Sequence, residues 1–272
     1  MYKNLMFKLL KKKIKQVLNF ILRNINSFYY NSIDLGSGDK FSIFFCKGID
    51  QLNGKFLNKD SKLDIKKESL RFVYSSHFIE HIDDETFSNL FYQCYQFLKK
   101  GSVLRIVTPN FELIKKVLDE NDTNYINNYA GWSERPEWKS NGIKMNIENW
   151  ALSWFAIYQN QPFLNSPEFG FSNESFYRGP PKIDARLIRS KSKILTAENF
   201  SKWAIEQVPK KFLNNGGHIN FWNFEKIKKY LEPIGFECIE SSYAKSINVD
   251  CNKIDRIRNR RYISSYFEMV KK

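Results

Sequence analysis

Ser32-Ile33-Asp34-Leu35-Gly36-Ser37-Gly38 joins a β-branched and apolar approach to an acidic-Leu-Gly-x-Gly turn. Glycine has no Cβ, so Gly36 and Gly38 let the backbone bend sharply and come close to a bound molecule. Such a turn suits the end of a parallel strand that faces a ligand, although a strand that merely ends in a tight turn carries the same letters. Three segments follow in order: Lys47-Gly48-Ile49-Asp50, then Phe72-Val73-Tyr74-Ser75-Ser76-His77-Phe78-Ile79-Glu80-His81-Ile82, then Leu98 to Asn110. The chain has only 3 histidines, His77, His81 and His218, so the search for a side chain that moves a proton near neutral pH is short.

The elements that must position these residues are strands ending in glycine or acid, separated by helical stretches. That ordered set resembles the S-adenosylmethionine-dependent methyltransferases of class I, with a Rossmann-like fold, and among them a type 11-like bacterial branch with a shortened first loop. The likeness covers residues 28–120 and resumes at 216–270. It implies an α/β fold, a doubly wound sheet that is mostly parallel with an antiparallel C-terminal strand, and S-adenosyl-L-methionine as cofactor. Under it, Asp34, Gly36, Ser37 and Gly38 form the first cofactor turn, and Ser75, Ser76 and His77 line the pocket from the fourth strand. Asp50 holds the ribose, a task that suits a carboxylate because its two oxygens accept from both vicinal hydroxyls. Asp60 stands nearest the adenine, with Asp64 of Leu63-Asp64-Ile65 second. The chain departs from the family in lacking a proline there and in having Arg71 where an acidic residue opens the fourth strand. Leu98-Lys99-Lys100-Gly101-Ser102 replaces the turn before the fifth strand, and Asn110 follows that strand where substrate arrives. Glu80 and His81 then open the next helix, with Glu80 favoured by its positive end. Gly217-His218-Ile219-Asn220-Phe221 before a helix, Gly235-Phe236 before a strand, and a last strand around Ser264 to Glu268 complete the pattern.

The implied chemistry is an in-line displacement, in which an acceptor oxygen or nitrogen attacks the sulfonium methyl. The sulfonium is already electrophilic, so positioning supplies much of the rate and a base only removes the acceptor proton. His218 and His81 are the candidate bases, with a structural role open to each. His77-Phe78-Ile79-Glu80-His81 also spells the H-x-x-E-H pattern of inverted-zincin metallopeptidases, whose two histidines bind zinc from one helix. No downstream acid sits in a motif that marks it as the third ligand, and no metal is expected. A cofactor-binding or regulatory protein that keeps the fold without turnover is the reading from another class.

Composition agrees with these readings without selecting among them. At 272 residues and 42% hydrophobic, the chain can bury one large core, or one core with an insertion. Cys46, Cys94, Cys238 and Cys251 form no C-x-x-C pair and read as buried thiols of a reducing compartment. No cleavable signal is visible, and the expected location is cytoplasmic. The net charge of +14 favours contact with phosphates or anionic lipid, yet no nucleic-acid module accompanies it, and no nucleic-acid partner is expected.

Part of the charge lies in residues 1–27, where Met6, Leu10, Ile14, Val17, Ile21 and Ile25 recur at helical spacing opposite Lys8, Lys11, Lys12, Lys13 and Lys15. This basic amphipathic helix either packs on its own domain or meets an anionic membrane surface peripherally. Residues 28–272 form the main domain, with an aromatic-rich insertion at 120–215 on the substrate side. Trp150 to Tyr158 has helical spacing and reads as core, whereas Gly170–Arg189 reads as exposed surface. Trp132, Trp138, Tyr177 and Arg178 are the candidate acceptor contacts, since aromatic faces cover apolar sugar faces and a guanidinium grips a phosphate or carboxylate. The acceptor expected from the resemblance is a surface glycan, nucleotide-sugar or lipid-linked sugar. Oligomeric state stays open.

Overall fold

A computed structural model describes residues 31–38, 46–52, 55–129, 146–156, 183–207 and 217–272. The amphipathic stretch 1–27 and the aromatic residues Trp132, Trp138, Tyr177 and Arg178 lie outside the described residues.

In chain order the strands are β1 (Ser32–Leu35), β2 (Lys47–Ile49), β3 (Gln51–Leu52), β4 (Lys55–Phe56), β5 (Leu70–Ser76), β6 (Leu98–Pro109), β7 (Phe236–Ser241) and β8 (Ser264–Lys271). Six of them make one sheet in the order β2-β1-β5-β6-β8-β7, while β3 and β4 form a small antiparallel pair. β2, β1, β5 and β6 run parallel, and β8 is antiparallel to both β6 and β7. The sheet is therefore mostly parallel with an antiparallel C-terminal strand, as expected. β1 is buried along its whole length and β5 nearly so, the pattern of strands covered on both faces.

Side chains alternate across that sheet. Ile33, Leu35, Val73, Leu104 and Ile106 pack with Phe87, Leu90, Phe91 and Cys94 of α1 (Asp84–Phe97) and with Ile227 and Leu231 of a helix at Phe224–Leu231. Phe72, Tyr74, Val103 and Val107 face the other way, onto Cys251 and Ile254 of a helix at Val249–Arg258. A third core lies beyond β6. It joins α2 (Phe111–Asp119), α3 (Thr123–Tyr129), α4 (Ile147–Ala156), α5 (Ala185–Ile194) and α6 (Ala197–Glu206) through Trp150, Phe155, Ile188, Phe200 and Phe221. The expectation that Trp150, Trp154 and Phe155 are core is met. Of the Gly170–Arg189 segment, the described part is mixed: Ile183 and Ile188 are buried, and Arg189 pairs with Glu148. The helices at Phe224–Leu231 and Val249–Arg258 are α7 and α8 below.

Caps explain where the helices begin. Asp83 in extended backbone accepts from Thr86 N at 2.7 Å and starts α1, and Asn110 accepts from Leu113 N at 3.0 Å and starts α2. The expected first turn of α1 at Glu80-His81 is thus corrected. Ile79–His81 is a separate 3-10 turn, and Ile82 and Asp83 are extended before the helix opens at Asp84. The expected turn at Leu98–Ser102 lies inside β6, as an irregularity rather than before the strand: pairing passes from Leu70 and Leu98 to Phe72 and Val103, and Gly101 has φ +75°.

α8 is held to the sheet by a buried polar network. Arg105 donates from Nη2 to Asp255 Oδ2 at 2.7 Å and to the Ser242 carbonyl at 2.7 Å, and Tyr74 donates to Asp255 Oδ1 at 2.7 Å. Arg105 and Asp255 are both sealed from solvent, so neither charge tolerates loss of the other.

Candidate functional site

Chain order reverses on either side of β1: β2 lies on one side and β5 on the other. In an open α/β sheet the crevice outside the carboxyl ends of the strands at such a point is where ligands sit. The segments singled out from the sequence end here. Gly36 (φ +73°) and Gly38 (φ +65°) turn the chain after β1, and Gly36 N donates to Ile49 O at 2.7 Å, tying the turn to the end of β2. Ser37 closes that turn with Oγ to the Gly38 carbonyl at 3.2 Å.

Asp34 lies beneath the turn, fully buried, and its Oδ2 accepts from Arg258 Nη2 of α8. Burial pushes its carboxyl up to about 6, against the pull of Arg258, and nearby Asp50 adds to the rise. Asp34 thus supports the turn from below, while half-buried Asp50 follows β2 at the crevice edge.

Asp60 and Asp64 are exposed on the loop after β4. That loop is pinned by two residues the sequence reading passed over: Asn89 of α1 donates to Lys59 O at 2.6 Å, and Gln93 donates to Ser61 O at 2.8 Å and accepts from Leu63 N at 2.8 Å. The only signal for them is an amide pair spaced four apart on the polar side of a helix.

At the end of β5 the Ser75 and Ser76 hydroxyls are buried and find no hydrogen-bond partner among the described residues. His77 then takes a left-handed backbone (φ +53°), an uncommon conformation for a residue with a side chain. Its Nε2 lies 2.8 Å from Ser264 Oγ and its Nδ1 3.3 Å from Glu80 Oε1. Asn110, expected at the substrate, spends its Oδ1 on the α2 cap.

The 217–222 segment straps across the 3-10 turn and closes the site. Ile219 N donates to Glu80 O at 2.8 Å, Trp222 Nε1 to Ile79 O at 2.7 Å, and Asn220 Nδ2 to Ile82 O at 3.0 Å. This strap carries His218 to within 3.9 Å of Glu80 Oε1, and the His81 and His218 rings meet edge-on at 4.7 Å. All three histidines of the chain therefore gather round one buried carboxylate.

Each ring has a defined orientation. His218 Nδ1 contacts the Trp154 carbonyl, and His81 Nδ1 lies 3.1 Å from the Gly217 carbonyl. A carbonyl oxygen only accepts, so both Nδ1 atoms carry the proton and, in the neutral ring, Nε2 keeps its lone pair. Burial, reinforced by His81, pushes His218 down to about 3, and burial lowers His77 as well. Burial opposes ionisation of Glu80, yet the contact with His77 and the fields of the other two rings outweigh it and hold the carboxyl at about 2. His218 is consequently neutral but weakly basic, a poor partner for proton removal at neutral pH; of the two candidate bases only His81 is half-exposed. The zinc-peptidase arrangement is not formed either: His77 and His81 share no helix, since His77 precedes a single 3-10 turn.

No family model and no curated protein matches the chain. Among solved structures it is similar to a SAM-dependent methyltransferase from Archaeoglobus fulgidus, with 14% identity, 98% of this chain and 99% of that one covered, and a TM-score of 0.36. It is also similar to an S-adenosylmethionine-dependent methyltransferase from Mesorhizobium loti (12% identity, 92% and 96% covered, TM-score 0.34). A further likeness is to PKMT2 from Rickettsia typhi in complex with AdoHcy (9% identity, 89% of this chain covered, TM-score 0.35), of which the chain spans 49%.

Proposed function

We propose that the protein binds S-adenosyl-L-methionine and transfers its methyl group to an oxygen or nitrogen of a small or glycan-like acceptor. The observation that carries this reading is the meeting, at the point where strand order reverses, of the Gly36-Ser37-Gly38 turn with Asp50 at the end of β2. A positive-φ glycine turn admits the cofactor close to the backbone, and Asp50 offers two acceptors to the ribose hydroxyls. Ser75 and Ser76 supply hydroxyls at the same edge that have no partner among the described residues. α2 follows β6 and packs with α4 of the 120–215 segment, so the acceptor enters from that side, with Trp132, Trp138, Tyr177 and Arg178 as proposed contacts. Nucleotide-sugars and lipid-linked or surface glycans are the acceptor classes to try first.

A catalytically silent cofactor-binding protein is favoured by one observation, the weak basicity of sealed His218. Titration calorimetry with S-adenosylhomocysteine tests the common ground. Asp50→Ala should weaken binding on the order of tenfold or more, since each charge-assisted hydrogen bond contributes roughly 1.5–3 kcal/mol. Unchanged affinity in a folded variant removes Asp50 from the site, and absence of binding to the wild type refutes both readings. Methyl transfer to any acceptor of the panel then excludes the silent one.

A further inference from the structure

Glu80 is a fully buried carboxylate, and both of its oxygens are sealed from solvent. Among the described residues neither oxygen finds a hydrogen bond of good geometry, although His77 Nδ1 lies at 3.3 Å. Buried carboxylates are normally satisfied by several donors or by a cation. Around this one, ligand atoms of Glu80, His81 and His218 all lie within 4.8 Å of one another. His81 and His218 each commit Nδ1 to a backbone carbonyl, at Gly217 and Trp154, which leaves Nε2 as the electron-pair donor. Histidines that bind metals characteristically donate their other ring N–H to a carbonyl or carboxylate, which fixes tautomer and ring orientation. His77 meanwhile bridges Glu80 and Ser264, holding the carboxylate in place.

We infer that Glu80, His81 and His218 form a binding site for a divalent transition-metal ion, steadied by His77. Two imidazoles and a carboxylate suit zinc and its neighbours, and three protein ligands leave a coordination position open. Tetrahedral ligands about 2.0–2.2 Å from an ion stand roughly 3.3–3.6 Å apart, so the 3.9 Å between His218 Nε2 and Glu80 Oε1 closes with a small side-chain adjustment. The site lies between the end of β5 and the insertion helix α4, whose Trp154 carbonyl holds His218. Its use, which rests on the methyl-transfer reading, is to hold an acceptor oxygen in the open position. The set differs from the H-x-x-E-H pattern, whose zinc ligands would be His77 and His81: here Glu80 and His81 are joined by His218, which the 217–222 strap brings in.

The test uses the full chain, stripped with a chelator and titrated with Zn2+, with Co2+ as the spectroscopic probe and Mg2+ as a hard-ion comparison. The expected result is one Zn2+ per chain, and a Co2+ spectrum of four- or five-coordinate nitrogen and oxygen ligands without a sulfur charge-transfer band. Glu80→Gln and His81→Asn should each weaken Zn2+ on the order of 100-fold or more, and His218→Asn likewise if it folds. Acetohydroxamate, a small oxygen chelator, should then change the Co2+ spectrum by entering the open position. Three results overturn the site: no Zn2+ uptake by folded protein, equal affinity in wild type, Glu80→Gln and His81→Asn, or a cobalt–sulfur band. A Co2+ spectrum indifferent to acetohydroxamate overturns the acceptor role. S-adenosylhomocysteine affinity is measured on the same samples, so Zn2+ uptake without cofactor binding refutes the methyl-transfer reading alone, and the converse refutes the metal alone.

Discussion

Alanine at Gly36 should damage the protein far more than alanine at Gly38, although the two glycines look interchangeable in the sequence. Both have positive φ, +73° and +65°. The backbone term is thus common to both, about 1–2 kcal/mol for a residue with a Cβ in the left-handed region, partly offset by about 0.4–1 kcal/mol from the stiffer unfolded chain. The surroundings differ. A Cβ at Gly36 would lie 2.2 Å from Phe78 Cγ and 2.3 Å from Phe78 Cβ and Cδ2, whereas nothing stands within 4 Å of a Cβ at Gly38. Carbon atoms pack at about 3.5–4.0 Å, so Phe78 must retreat by more than about 1 Å. Phe78 is itself core and leads directly into the 3-10 turn that holds Glu80 and His81, so there is little room for it to move. Overpacking of this kind costs about 1–3 kcal/mol. Gly36→Ala should therefore destabilise by about 2–4 kcal/mol and Gly38→Ala by about 1 kcal/mol or less. Urea unfolding followed by circular dichroism reads both as shifts of midpoint at constant slope. Phe78→Gly, expected to cost about 3–5 kcal/mol for the lost ring and about 0.5–1 kcal/mol more for the glycine, removes both the ring and the Cβ that obstruct, so Gly36→Ala should cost about 1–3 kcal/mol less in that background than in wild type. Equal losses at the two glycines, or strict additivity with Phe78→Gly, would refute the steric argument.

The Asp34–Arg258 pair sets a pH dependence. The Asp34 carboxyl is raised to about 6 from an ordinary 3.8, so the stability tied to its protonation is fully present below 3.8 and is lost as pH rises through about 6. Arg258→Met removes the opposing charge, and its cost should be about 3–5 kcal/mol at pH 8 but clearly less at pH 5, as read by denaturant midpoints; the same loss at both pH values would show that Asp34 is not the titrating partner. The cysteines give a simpler prediction. Cys46, Cys94 and Cys251 are buried with thiols pushed up by burial, while half-buried Cys238 is raised to about 11, so a thiol reagent at pH 8 should modify one cysteine slowly in native protein and all 4 in urea. Fast modification of two or more in the native state would contradict the packing of α1 or α8 described above.

Strands were legible because their chemistry is local. Apolar runs that end in Gly or Asp, at Asp34–Gly38, Asp50 and Ser75–Ser76, need only their own neighbours to declare a buried strand and its carboxyl end. The same locality explains the error at Glu80-His81, where apolar spacing continues into α1 but Asp83, as cap, places the helix start after them. The resemblance in the order of these segments carried the sheet topology, which the paired registers then reproduced. What the tertiary structure alone decided are partnerships between residues far apart in the chain. Asp34 and Arg258 are 224 positions apart, Arg105 and Asp255 are 150 apart, and His81 meets Gly217 across 136. No periodicity encodes such pairs, because each depends on which helix packs on which face of the sheet. His218 illustrates the limit: alone it is a histidine after two glycines, and only the strap across Ile79–Ile82 turns it toward Glu80. Burial then sets its chemistry, since the same imidazole that would take a proton in water is held neutral when sealed against the Trp154 carbonyl.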